Sequence, residues 1–209
     1  MIIAISGPDG SGKTTQISRL VCMYEKKNKK VFISWCRFLH LFTLFPLLLA
    51  RILNLTTYEL YENGRVGFKN FSKFPLKHLY LSFLWIDYLL LHIKNFLITR
   101  FLNFDVVLYD RHVFDLLVDI YVDCRLNSIK SKFLKPFKIF IRRDINYILL
   151  LTNYEKFVNR REDLLHDYTL KKRIEIYKMF ADEYKIITFD ASIPPNILHS
   201  NIVKSLHEI

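Results

Sequence analysis

Residues 7–14 constrain this chain more than any other stretch. They read Gly-Pro-Asp-Gly-Ser-Gly-Lys-Thr, so Gly7, Gly12, Lys13 and Thr14 fill the pattern G-x-x-x-x-G-K-[ST]. The apolar run before them, MIIAIS, predicts a buried strand. Ile17, Leu20, Val21 and Tyr24 follow at helical spacing and predict an amphipathic helix. A loop between two such elements can turn its backbone N–H groups inward around a phosphate, and Gly7, Gly10 and Gly12 supply the backbone freedom. Lys13 would then reach the β- and γ-phosphates, the Thr14 hydroxyl would ligate Mg²⁺, and the helix would point its positive end at the anion. The whole segment Gly7, Pro8, Asp9, Gly10, Ser11, Gly12, Lys13, Thr14 and Thr15 is the expected cofactor-binding stretch. The pattern arises by chance in roughly one chain of this length in a hundred. The plain alternative is a glycine-rich turn that binds nothing; the strand before and the helix after argue against it.

Short apolar runs at 31–34, 105–110, 146–151 and 185–189 alternate with helical stretches. That alternation predicts a parallel sheet covered on both faces. Ligands in such folds bind at the strand C-termini, which gathers 7–15, 35–37, 110–111, Asn153 and 190–192 along one edge. Residues 38–55 are intensely apolar and predict a buried or partly interfacial helix, broken near Pro46. Residues 57–73 read as a loop or a short irregular helix. Nothing breaks a helix between Pro75 and Leu102, and that stretch is apolar nearly all round until Lys94. Polar residues in both apolar stretches (His40, Pro46, Arg51 and Asn54 in the first; Asp87, His92, Lys94 and Arg100 in the second) count against membrane spans. Asp87 has two readings: a satisfied polar group in a helix interface, or a carboxylate facing the ligand cleft. A helix over 112–127 carries Asp115 and Asp119 one turn apart. Residues 129–143 predict a basic, solvated face over Phe133, Phe137 and Phe140, with nucleic-acid contact the lesser reading. Leu170, Ile174, Tyr177 and Ala181 mark another amphipathic helix, and 197–206 the final one.

With 209 residues, the chain is long enough to bury a core without staples, and 51% hydrophobic residues exclude disorder. The net charge of +11 suits an anionic ligand, nucleic acid or a membrane surface and does not choose among them. Cys22, Cys36 and Cys124 are odd in number and widely spaced, which argues against a disulfide framework and a zinc site. No signal-peptide pattern precedes the first strand, so the expected location is cytoplasmic.

Asp110 closes the 105–110 strand beside the loop, where an acid could hold Mg²⁺ through water or position an acceptor phosphate; otherwise it caps the next helix. Arg111 could bind the acceptor phosphate, or form an ion pair with Asp110 or Asp115. The P-D-G-S-G-K-T-T-Q loop and the Asp110-Arg111 pair resemble the thymidylate kinase family of P-loop nucleoside monophosphate kinases. The resemblance extends over nearly the whole chain, including an arginine-bearing segment at 148–161 and a closing F-D-A-S turn. It implies a three-layer α/β P-loop NTPase fold with a five-stranded parallel sheet, as one domain over 1–209. A helical acceptor-side region would span about 38–102, and a lid about 153–168. It implies ATP and Mg²⁺ as cofactors, a phosphorylated small-molecule acceptor with dTMP as the default, and a homodimer; nucleic-acid and membrane contact are not favoured. By resemblance, Lys13 and Thr14 bind ATP·Mg, Asp9 faces the acceptor, and Arg111 binds its phosphate. Arg160 or Arg161 supplies the catalytic lid arginine, and Asp190, Ala191 and Ser192 sit against the adenine.

The acceptor half departs from the family pattern. Ser34-Trp35-Cys36-Arg37 stands where the family has T-R-E-P, so Arg37 alone could replace that arginine. Asp87-Tyr88 lies where the family's long helix carries an arginine. Phe114, Asp115, Leu116 and Leu117 replace the serines and glutamine that read thymine. Asp87, Asp115 and Asp119 are the local acids and could accept from sugar hydroxyls. The chain is therefore expected to discriminate weakly among bases. Comparing kcat/KM for dTMP, dUMP, dCMP and dGMP checks this; a preference for dTMP of a hundredfold, about 2.7 kcal/mol, overturns it.

Overall fold

The computed structural model describes residues 1–36, 41–61, 64–158 and 162–207. Arg37, Arg160 and Arg161, three of the expected site residues, lie outside them. The strands are β1 (Ile2–Ser6), β2 (Val31–Trp35), β3 (Thr56–Tyr61), β4 (Gly64–Lys69), β5 (Val106–Asp110), β6 (Ile145–Leu151) and β7 (Ile187–Asp190). The helices are α1 (Lys13–Lys26), α2 (Leu44–Ile52), α3 (Leu76–Leu102), α4 (Val113–Asp123), α5 (Tyr154–Val158), α6 (Leu170–Tyr184) and α7 (Pro195–His207), with short 3₁₀ turns at Lys135–Phe140 and Glu162–His166.

Five strands form a parallel sheet in the order β2-β5-β1-β6-β7. The chain is α/β, with helices on both faces of that sheet. Side-chain alternation along β1 explains why. Ile3 and Ile5 point to one face and pack with Ile17 and Leu20 of α1 and with Leu198 and Ile202 of α7. Ala4 points to the other, into the larger core of α3, α4 and α6. A strand covered on both faces has no polar side to offer, hence its continuous apolar run.

Register sets the site. Ile5 pairs with Asp110 of β5, Ser6 with Leu149 of β6, and Trp35 of β2 with Asp110. All five strands therefore end along one edge, which carries the loop after β1, Asp110-Arg111 and the turn after β7.

Three expectations change. Residues 57–73 hold the antiparallel hairpin β3–β4, paired from Thr56–Lys69 to Tyr61–Gly64, so the 38–102 region is not purely helical. Tyr, Thr, Val and Phe in that stretch favour strands; Gly64 and Gly67 obscured their alternation. Pro46 does not break a helix but lies in the first turn of α2, where its missing N–H costs no hydrogen bond. The 112–127 helix stops at Asp123, and Arg125 takes a left-handed φ of 48° just beyond it.

Asp87 is a helix-organising residue. It is 1% exposed. Its Oδ1 accepts from Phe42 N–H at 2.9 Å, and its Oδ2 from Thr43 N–H at 3.0 Å and Thr43 Oγ1 at 2.5 Å. These are donors at the entrance to α2, which need a partner once buried. Both oxygens are thus committed to joining α2 to α3, and the ligand-facing reading of Asp87 gives way to the interface one. α3 itself is long and apolar enough to cross a membrane by length and composition, with 33% of its most apolar stretch buried. Asp87→Ala should lower stability by roughly 2–4 kcal/mol, because it strands buried N–H donors. Urea titration checks this, and an unchanged midpoint with an unchanged slope would show that water replaces the carboxylate.

Candidate active site

The loop from Gly7 to Gly12 leaves β1 and enters α1. Gly7 has φ 147°, and a Cβ there would lie 2.4 Å from the Leu150 carbonyl oxygen. Only glycine lets the loop pass this close to β6. Gly12, the residue before α1, has φ 82°, a left-handed conformation. As the N-cap, Gly12 brings no side chain to bond the first turn of α1.

Lys13 is 5% exposed. Its Nζ donates to Gly7 O at 2.8 Å, to Pro8 O at 2.6 Å and to Ser11 Oγ at 3.3 Å. Burial pushes the ammonium down to about 8; Arg111 adds to this, while Asp115, Asp9 and Asp110 oppose it. Thr14 Oγ1 lies 3.4 Å from Asp110 Oδ2. Burial raises the Asp110 carboxyl above its usual range, against the pull of Lys13 and Arg111. Two oxygens on neighbouring corners of a Mg²⁺ octahedron stand about 3 Å apart, so Thr14 and Asp110 could serve one such ion with little movement. Among the described residues there is no cluster of three His, Cys, Asp or Glu able to hold a metal. A cation at Thr14 and Asp110 would take its remaining oxygens from phosphate and water.

Arg111 follows β5 with φ 67°, left-handed backbone that costs a non-glycine residue about 1–3 kcal/mol. Its N–H donates to Ile5 O at 3.0 Å. The kink turns the guanidinium back toward the loop, where it pairs with Asp9 and lies 3.5 Å from Asp115 Oδ1. Asp115 is 1% exposed. Its Oδ1 accepts from Gly7 N–H at 3.3 Å and Tyr177 O–H at 2.7 Å, and its Oδ2 from His112 N–H at 3.0 Å. The expected substrate-binding role of Asp115 is therefore replaced by a scaffold role: its oxygens tie the loop, α4 and α6 together.

A cleft of about 180 Å³ opens beside Asp9 and Arg111. Two of its walls, Phe68 of β4 and Arg173 of α6, were not singled out from the sequence, and Tyr177 of α6 was read there only as part of an apolar stripe. Arg173 pairs with Asp119 and donates from Nε to Thr169 Oγ1 at 3.0 Å. Burial opposes its charge, but Asp119 and Asp123 outweigh that and raise its pKa. A signal for Arg173 was present. It falls on the same helical stripe as Leu170, Ile174 and Tyr177, and a cation on an apolar stripe needs an anion to face. Phe68 carried no such signal, since a hairpin over the cleft is a tertiary feature.

The 190–192 turn sits at the far end of the same edge. Ser192 donates from N–H and Oγ to Asp190 at 2.8 and 2.6 Å, Lys156 Nζ donates to Ser192 Oγ at 2.9 Å, and Ala191 N–H bonds Leu151 O at 2.7 Å. Sequence comparison supplies no family: no family model and no curated protein matches this chain.

The Lys13 environment yields a pH test with a definite sign. An ammonium held down at about 8 is half deprotonated at pH 8, and a bound phosphate restores it. Nucleotide binding at pH 8 should take up about half a proton, and affinity should fall as pH rises from 7.5 to 9. Calorimetry in buffers of different ionisation enthalpy measures the uptake. Proton release, or no exchange at all, contradicts the expectation that Lys13 meets a phosphate.

Proposed function

We propose that this protein is an ATP- and Mg²⁺-dependent phosphotransferase of the nucleoside monophosphate kinase type, built on a P-loop and acting in the cytoplasm. The observation that carries this reading is the meeting of Lys13, Thr14 and Asp110 at the junction of β1, α1 and β5. The buried Lys13 ammonium is held by the Gly7 and Pro8 carbonyls of its own loop, and beside it Thr14 Oγ1 lies 3.4 Å from Asp110 Oδ2.

Phosphoryl transfer needs placement and charge neutralisation more than covalent help from the protein. Bound Mg²⁺ would neutralise the β- and γ-phosphates, with Thr14 and Asp110 as its protein partners. Lys13 can exchange the Gly7 and Pro8 carbonyls for phosphate oxygens, the stronger charge-assisted partners. Arg111, now paired with Asp9 and Asp115, orients the acceptor phosphate, whose dianion needs no base. An acceptor oxygen bonds to the γ-phosphorus, the bond to the β-bridging oxygen breaks, and ADP leaves with that electron pair. Arg160 or Arg161 meets the charge that develops in the transition state. The acceptor of first choice is dTMP, giving dTDP; another nucleotide or a sugar phosphate attacking through its phosphate oxygen would use the same groups, whereas a nucleoside hydroxyl would also need a base to take its proton.

An ATP-consumption screen across these acceptor classes tests the reading. Turnover should require Mg²⁺, and Lys13→Ala should lower kcat at least a hundredfold, since one such charge contact is worth about 2.7–4 kcal/mol. Near-normal turnover in that variant, with an unchanged melting temperature, excludes the mechanism.

A second reading rests on a separate observation. Leu44, Phe45, Leu48 and Ile52 of α2, with Phe96 and Phe101 of α3, are exposed. A homodimer would cover them, and so would a lipid surface at which the protein binds nucleotide. Sedimentation separates the first from a monomer, and liposome flotation with and without ATP identifies the second.

A further inference from the structure

The acceptor cleft does not end at Arg111. Phe68 and Arg173 also wall a second chamber of about 280 Å³, between the β3–β4 hairpin, the end of α4 and the start of α6. Its far side carries Lys69, Arg125 and Lys172. Asp123 is the one acid lining it among the described residues. Asp123 is buried, and its Oδ2 accepts from the Tyr80 hydroxyl at 3.3 Å. Burial pushes its carboxyl up to about 6, with Lys69 pulling down, Asp119 pushing up and Arg173 pulling down. The lining is thus strongly cationic, with its single carboxylate turned toward α3.

Phe68 lines both chambers, and Tyr168 lines the second. The Phe68 and Tyr168 rings lie 3.9 Å apart between centroids. Arg125 and Lys172 are exposed at the chamber mouth, and Lys172 lies 5.6 Å from the Tyr121 ring centroid. Cations converging on a partly enclosed space bind anions more strongly than the same cations spread over a surface. An aromatic pair beside two cationic sites fits a nucleotide whose base packs against the rings while two anionic groups on its sugar reach the two sites.

We propose that the acceptor carries two anionic groups: a reacting phosphate at Arg111, and a second phosphate or carboxylate held by Arg125, Lys172 and Lys69 in the second chamber, which shares Phe68 and Arg173 with the first. This rests on the phosphotransferase reading but moves the preferred acceptor from dTMP, which has a single phosphate, to a doubly anionic molecule, and binding measures it without turnover. It also accounts for selectivity in a chain that lacks polar base-reading side chains, because the second charge replaces a base edge as the recognised feature.

The probes are thymidine 5′-monophosphate and thymidine 3′,5′-bisphosphate, titrated calorimetrically into the full-length protein at pH 7.5 and moderate salt. The bisphosphate should bind at least tenfold more tightly. That advantage should fall below threefold in the Arg125→Gln/Lys172→Gln double variant, whose exposed side chains can change without unfolding the chain; a thermal melt confirms that it folds. Equal affinities, no binding of either probe, or an advantage that survives the double substitution each overturn the proposal. Failure of the kinase reading shows itself differently, as absent turnover on every acceptor in the Mg²⁺·ATP screen while the binding preference persists.

Discussion

One buried carboxylate holds the site in register. Asp115 accepts from the Gly7 N–H of the loop, the His112 N–H at the start of α4 and the Tyr177 hydroxyl of α6, and it lies beside the Arg111 guanidinium. A carboxylate buried without partners would cost several kcal/mol. Here that cost is offset only when four segments arrive together. The loop over the sheet edge, Arg111 and α6 all meet at this one side chain.

The charges around it are balanced in the same way. Lys13 and Arg111 face Asp9, Asp110 and Asp115 within a small volume, and no member of the group is placed independently of the rest. The left-handed backbone at Arg111 accompanies this arrangement, with its guanidinium paired to Asp9. Arg173 with Asp119 repeats the pattern across the cleft, bringing a second arginine to the space reached by the first.

Much of this was legible in the chain. The strand–loop–helix at the N-terminus, the strand ending at Asp110 and the turn after β7 follow from local apolar runs and glycines, whose effect is confined to a few residues. The hairpin at 56–69 was not legible, because Gly64 and Gly67 interrupt its alternation and the 3₁₀ turn it packs against, Glu162–His166, lies far along the chain. Asp87 and Asp115 were visible as acids in apolar surroundings. Their partners are backbone donors 45 and 108 residues away, and distance along the chain hides such pairs.

The sequence by itself determined the α/β class, the glycine loop and the set of acids and cations at the strand ends. These depend on periodicity and backbone stereochemistry, which act between near neighbours. Tertiary structure decided what each charged side chain does. It made Asp87 and Asp115 scaffolds, turned Arg111 toward Asp9, and brought Phe68 and Arg173 to a cleft that no local pattern announces. A buried charge takes its role from the groups that compensate it, and only the folded chain brings those groups within reach.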